Sequence, residues 1–119
     1  MKLKIFEINK IEKKSDIIEE KINSFLNGKT FKFATQSEGI VNSKIYISVF
    51  YEEGKQSNTK AKCFKSCNAS DVEKLANEFF KNDEIIMKWA VQTSTKSNIF
   101  SIIFYDLKAV NEKKDEDKR

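Results

Sequence analysis

Few side chains in this sequence have chemistry to offer, and the gaps among them narrow the choice of function. The 119 residues contain no histidine, so the commonest general base and the commonest metal ligand are both missing. Nucleophile systems of the Ser-His or Cys-His kind are excluded on composition. Glu52 and Asp106 occupy matching places in two similar stretches and form the best acid pair open to an enzyme. Acids at strand ends face water, however, and no catalytic residue is assigned. Cys63 and Cys67 are the only thiols. Two thiolates do not close a tetrahedral metal site by themselves, so neither a metal nor a cofactor is expected. Glycines at 28, 39 and 54 are scattered and build no phosphate-binding loop.

What remains is a set of lysines interleaved with aromatic residues. If Leu3 and Ile5 point toward a helix, then Lys4, Phe6, Lys62 and Phe64 point away from it. Lys32 and Lys88 share that side if Phe33 and Trp89 face the core. Tyr46, Phe50, Phe100 and Phe104 complete this candidate binding face. Lysines and aromatics on a sheet bind single-stranded nucleic acid through charge and base stacking. In the competing reading the same aromatics bury against the other half of the chain or a second copy.

The elements that must position these residues occur twice. Ile45-Tyr-Ile-Ser-Val-Phe-Tyr-Glu-Glu53 is echoed by Ile99-Phe-Ser-Ile-Ile-Phe-Tyr-Asp-Leu107. Ahead of each echo, Lys4-Ile5-Phe6 matches Lys62-Cys63-Phe64, and Asp16 to Leu26 matches Ser70 to Phe80 with Glu19/Glu73, Asn23/Asn77 and Phe25/Phe79 shared. Phe33-Ala34-Thr35-Gln36 likewise matches Trp89-Ala90-Val91-Gln92. Four matches in one order indicate a tandem duplication, with units 1–55 and 59–110, and repeated units generally complete one another's core. A unit of this length is marginal alone, so the two are expected to share one core. Cys63 aligns with Ile5, which reads it as a small buried apolar residue.

Periodicity supplies the elements. Residues 2–7 alternate as a short strand, and Lys60 to Phe64 form its counterpart. Asp16 with Glu19 marks a helix start, and Ser70 with Glu73 marks another. Ile18, Ile22, Phe25 and Leu26 form one apolar stripe, and Val72, Leu75, Ala76, Phe79 and Phe80 the second. Asn27-Gly28 closes the first helix. Thr30–Thr35 with Lys44–Tyr51, and Ile85–Thr93 with Asn98–Leu107, read as hairpins. The prediction is an α+β fold of two β-α-β-β repeats related by a pseudo-twofold axis, with two helices on antiparallel sheet. The tail 111–119 carries four acids and four bases with nothing to bury, which predicts disorder.

Each unit resembles a family of very small sporulation-associated proteins from spore-forming bacteria and their phages. The likeness rests on Lys4-Ile5-Phe6, on Glu19 with Ile22-Asn23-Ser24-Phe25-Leu26, and on Val49-Phe50-Tyr51. In the second unit it rests on Lys62-Cys63-Phe64, on Glu73 with Asn77-Glu78-Phe79-Phe80, and on Ile103-Phe104-Tyr105. It implies an accessory binding role, with the pairing of two subunits in a relative built here into one polypeptide.

Net charge is +4, spread along both units, and the sole arginine is Arg119. Base-specific DNA readers lean on arginine, so sequence-specific recognition is disfavoured. No apolar run suits a signal peptide or a membrane span, which places the chain in the cytoplasm with no membrane partner. The expected function is that of a non-enzymatic small binding protein acting on a host protein or small ligand, as a monomer or homodimer. Size, lysine richness and missing catalytic residues are shared with phage- or mobile-element-encoded inhibitors of host defence, the anti-CRISPR type among them. The alternative is a non-sequence-specific single-stranded nucleic-acid binder working through the Lys/aromatic face.

Overall fold

The computed structural model of the chain describes residues 1–9, 14–39 and 43–108; the predicted disorder of the tail concerns residues outside these. The elements are β1 (Lys2–Asn9), α1 (Ser15–Leu26), β2 (Lys29–Glu38), β3 (Lys44–Glu53), β4 (Lys60–Ser66), α2 (Ala69–Phe79), β5 (Ile85–Ser94) and β6 (Ile99–Leu107). The fold is α+β, and the order β-α-β-β occurs twice. Two antiparallel three-stranded sheets result, ordered β1-β3-β2 and β4-β6-β5, each with an echoed strand at its centre.

Both hairpins carry an irregularity at the same aligned place. Pairing between β2 and β3 shifts between Phe31 and Phe33, and pairing between β5 and β6 shifts between Met87 and Trp89. Each extra residue, Lys32 or Lys88, is a bulge that reverses the facing of the residues after it. Phe31 and Ala34 therefore both turn to the core, while Phe33 turns away to stack on Phe50 with centroids 4.4 Å apart. This corrects the expectation that Phe33 faces the core.

Strand β1 also faces opposite to the reading from its alternation. Phe6 and Ile8 are the buried residues, whereas Leu3 and Ile5 are 49% and 50% exposed. Both parities of β1 hold apolar side chains, and the larger aromatic ring wins the core. Phe6 packs edge-on to Phe25 of α1 at 5.6 Å.

Helix α1 follows its predicted stripe, with Ile18, Ile22 and Leu26 buried. It ends at Asn27 before Gly28, whose φ of +80° suits a residue without a Cβ. Its start is Ser15, with no side-chain cap from Lys14, so the predicted Asp16 cap is not formed. Helix α2 is capped by Asn68, whose Oδ1 accepts from the Asp71 amide at 2.9 Å; Ser70 and Glu73 do not form the predicted box. Val72 of α2 is buried, and Leu75 and Phe80 of its predicted stripe are exposed.

The two sheets are buried unequally. The principal core joins α1 and one face of the first sheet to Ala61 and Cys63 of β4 and to Phe100, Ile102 and Phe104 of β6. A smaller core puts Val72, Ala76 and Phe79 of α2 over Phe64 and Ile103 on the other face of the second sheet. The second sheet is thus covered on both sides, and its central strand is buried from Phe100 through Phe104. Strand β3 alternates between buried and half-buried, because only one face of the first sheet is covered among the described residues. Contacts between the units are not reciprocal either: α1 packs on β4 of the second unit, while α2 packs on β4 and β6 of its own. A twofold axis would set α2 on β1.

Candidate functional site

The joint between the units is built from α1 and the outer edge of β4. Asn23 donates through Nδ2 to the Ala61 carbonyl at 3.2 Å and accepts the Ala61 amide on Oδ1 at 2.6 Å. One side-chain amide thereby takes the place of a neighbouring strand. A turn earlier, Glu19 Oε1 accepts the Cys63 amide at 2.8 Å and lies 3.4 Å from Lys62 Nζ. Two residues four apart on a helix share one face, and here that face seals a sheet edge whose polar groups are costly to leave unpaired. Around this joint Phe31 stacks on Phe104 at 4.3 Å. Trp89 Nε1 donates to the Ala34 carbonyl at 2.8 Å and Gln36 Nε2 to that of Phe100 at 3.4 Å.

On the far side of the first sheet, register sets three rows across the strands. Leu3, Phe50 and Phe33 make the first, Ile5, Ser48 and Thr35 the second, and Glu7, Tyr46 and Ser37 the third. Leu3 and Ile5 in these rows are half-exposed, while the Trp89 ring of β5 lies beside Phe33 with centroids 6.1 Å apart. The aligned residues of the second sheet, Ala61 and Cys63, are 2% and 3% exposed. The open face is therefore apolar along Leu3, Ile5, Phe33 and Phe50, with Glu7 in the third row and Lys44 and Glu52, of the same strand parity, at the two ends of β3.

The residues singled out from the sequence do not come together on that face. Phe6 and Phe64 turn toward the helices, and Phe100 and Phe104 lie in the principal core, so these four are buried and their candidacy is corrected. Tyr46 and Phe50 do lie on the open face, half-buried. Lys4 sits on the helix side, 5.9 Å from the Phe6 and Phe25 ring centroids, and Lys62 is held by Glu19. The bulge lysines reach the strand-end acids of their own units, Lys32 with Glu52 at 3.7 Å and Lys88 with Asp106 at 3.8 Å. Asp106 also accepts from the Thr59 hydroxyl. A continuous lysine and aromatic surface is not assembled. Leu3, Ile5 and Phe33 were missed because both faces of β1 are apolar and the bulge at Lys32 leaves no mark in the alternation. One signal was present: Glu and Asn recur four apart in both helices, a pairing that apolar patterning does not explain.

Cys63 is not set up as a nucleophile. Cys63 is buried, and loss of solvent, with Glu19 nearby, pushes its thiol up to about 12. Cys67 is exposed. Burial, again with a contribution from Glu19, also raises the Tyr105 hydroxyl. Among the described residues no group of three or more Cys, Asp and Glu is placed to hold a metal ion, and no helix is long and apolar enough to cross a membrane. Grooves of about 340 and 320 Å³ flank α2, the larger of the two also lined by Ser15 of α1.

No protein-family model, curated protein or solved structure matches the chain.

Proposed function

We propose that this chain is a non-enzymatic binding protein, built from a duplicated β-α-β-β unit, whose contact surface is the open face of the first sheet. One observation carries the reading. Two copies of the same strand pattern differ in burial, with Leu3 and Ile5 half-exposed where Ala61 and Cys63 are buried. Large apolar side chains gathered on one uncovered face mark interaction surfaces. The partner this face suits is a protein, since its large apolar side chains lie in rows across a sheet.

The duplication is supported by identical strand order and by bulges at aligned residues. Its two copies stack head to tail: the helix side of unit one receives the helix-free side of unit two. A non-enzymatic role is favoured because Glu52 and Asp106, the best acid pair, are each tied to a lysine of their own unit.

Wild-type protein and an Ile5→Glu variant, used as paired baits, test the reading. Ile5 is half-exposed, so the variant is expected to keep its circular dichroism and urea midpoint. Proteins retained by the wild type should be lost from the variant. Equal retention by both contradicts the assignment of this face.

A further inference from the structure

We infer that the partner of the open face is a second copy of this chain, seated on α2 as the second unit is seated on α1. The inference rests on the reading of the open face as a contact surface and names what covers it. The joint within the chain is the template. Where it closes, Phe6, Ile18, Ile22, Ala34, Ile47 and Val49 form a buried seat for the second sheet. The aligned residues on the second unit, Phe64, Val72, Ala76, Ala90, Ser101 and Ile103, instead line a groove of about 320 Å³ beside α2. That groove is the vacant counterpart of the occupied seat. Its polar rim is Glu73 and Asn77, the counterparts of Glu19 and Asn23, and both are exposed.

The other half of the joint is vacant as well. Leu3 pairs with Phe50 and Ile5 with Ser48 across β1 and β3. Ala61 pairs with Phe104 and Cys63 with Ile102 in the same register. The amides of Leu3 and Ile5 therefore point outward along the free edge of β1, where Asn77 and Glu73 of another copy would meet them. Charge agrees too: Glu19 holds Lys62 within the chain, and Glu73 faces Lys4 between chains. Sizes compensate across the joint. Ala61 and Cys63 become the larger Leu3 and Ile5, while Ile18, Ile22 and Ile47 become the smaller Val72, Ala76 and Ser101. Because one end docks on the opposite end, the contact is heterologous and extends to open filaments or closed rings instead of stopping at a twofold dimer.

Sedimentation of the full chain over a concentration series tests this. The mean mass should rise with concentration and pass beyond that of a dimer. Ile5→Glu blocks one end and Glu73→Lys the other. Each variant alone should associate at least about tenfold more weakly, as loss of a contact charge or apolar anchor does. Mixed together they retain one good end each and should form a 1:1 dimer that grows no further. Lys4→Glu combined with Glu73→Lys should recover assembly by exchanging the charges. A mass that stays monomeric to about millimolar concentration, where contacts weaker than about 4 kcal/mol leave most protein free, overturns the inference. Assembly that ignores Glu73→Lys also overturns it. If the wild type stays monomeric while Ile5→Glu still loses proteins held by the paired bait, the second copy is refuted and the open-face reading survives. If Ile5→Glu changes neither measurement, both fall.

Discussion

Asn23 and Asn77 are the same residue in the same place on aligned helices, and their surroundings make them unlike. Asn23 satisfies both the amide and the carbonyl of Ala61, whereas Asn77 is exposed on the rim of a groove. Replacing Asn23 by Ala leaves two backbone groups unpaired and should lower stability by about 1–3 kcal/mol. Asn77→Ala should fall within about 0.5 kcal/mol for the monomer, as ordinary surface changes do. Urea denaturation of the two variants at low protein concentration compares them directly. The cysteines divide in the same way. Cys63 has its thiol raised to about 12 by burial, so at pH 8 a thiol reagent should label Cys67 in the native protein and both residues after denaturation. The raised value also fixes a pH trend. The thiol contributes stability in full below the ordinary value of 9.0 and loses it as pH climbs toward 12. Unfolding midpoints followed through pH 9–11 should fall in wild type and fall less in Cys63→Ala.

Elements were legible where a period of two or 3.6 ran unbroken. All six strands and both helices stand within a few residues of the bounds their alternation and stripes imply. Helix starts were not, because polar residues cluster ahead of both helices and several suit a cap. Asn68 takes that role for α2, and Asn68→Ala should cost about 1 kcal/mol in thermal or urea unfolding; a change near zero would show the cap to be dispensable. Facing was the other hidden quantity. A bulge adds one residue without altering composition, so Lys32 looked like part of an alternating strand while reversing Phe33. In β1, Leu3 and Ile5 on one side and Phe6 and Ile8 on the other are equally apolar. The α1 ring of Phe25 decides between them, and it lies far away in sequence.

For the whole molecule the consequence is polarity. Each unit has a side bearing a helix and a side without one, and the chain joins the first kind to the second once, leaving one of each unused. The sequence supports two units in one core, and the contacts show a stacking that a twofold does not describe. The candidate site was only partly legible for the same reason: Phe50 and Tyr46 were found, while Phe100 and Phe104, their counterparts, proved to be core. Phe104, fully buried and stacked on Phe31, should cost about 3–5 kcal/mol as Phe104→Ala. Phe50→Ala, on the open face, should cost far less, about 1 kcal/mol for its half-buried ring stacked on Phe33. Urea midpoints that are equal for the two variants would mean that both faces are closed.

Amide-resolved NMR of the wild-type chain over a dilution series tests the open face most directly. Concentration-dependent shifts are predicted at Leu3, Ile5, Phe33 and Phe50 together with Glu73 and Asn77, and at few amides elsewhere. Shifts that leave the β1 edge untouched, or spectra that do not change with concentration, would contradict the claim that this face seeks a copy of its own chain.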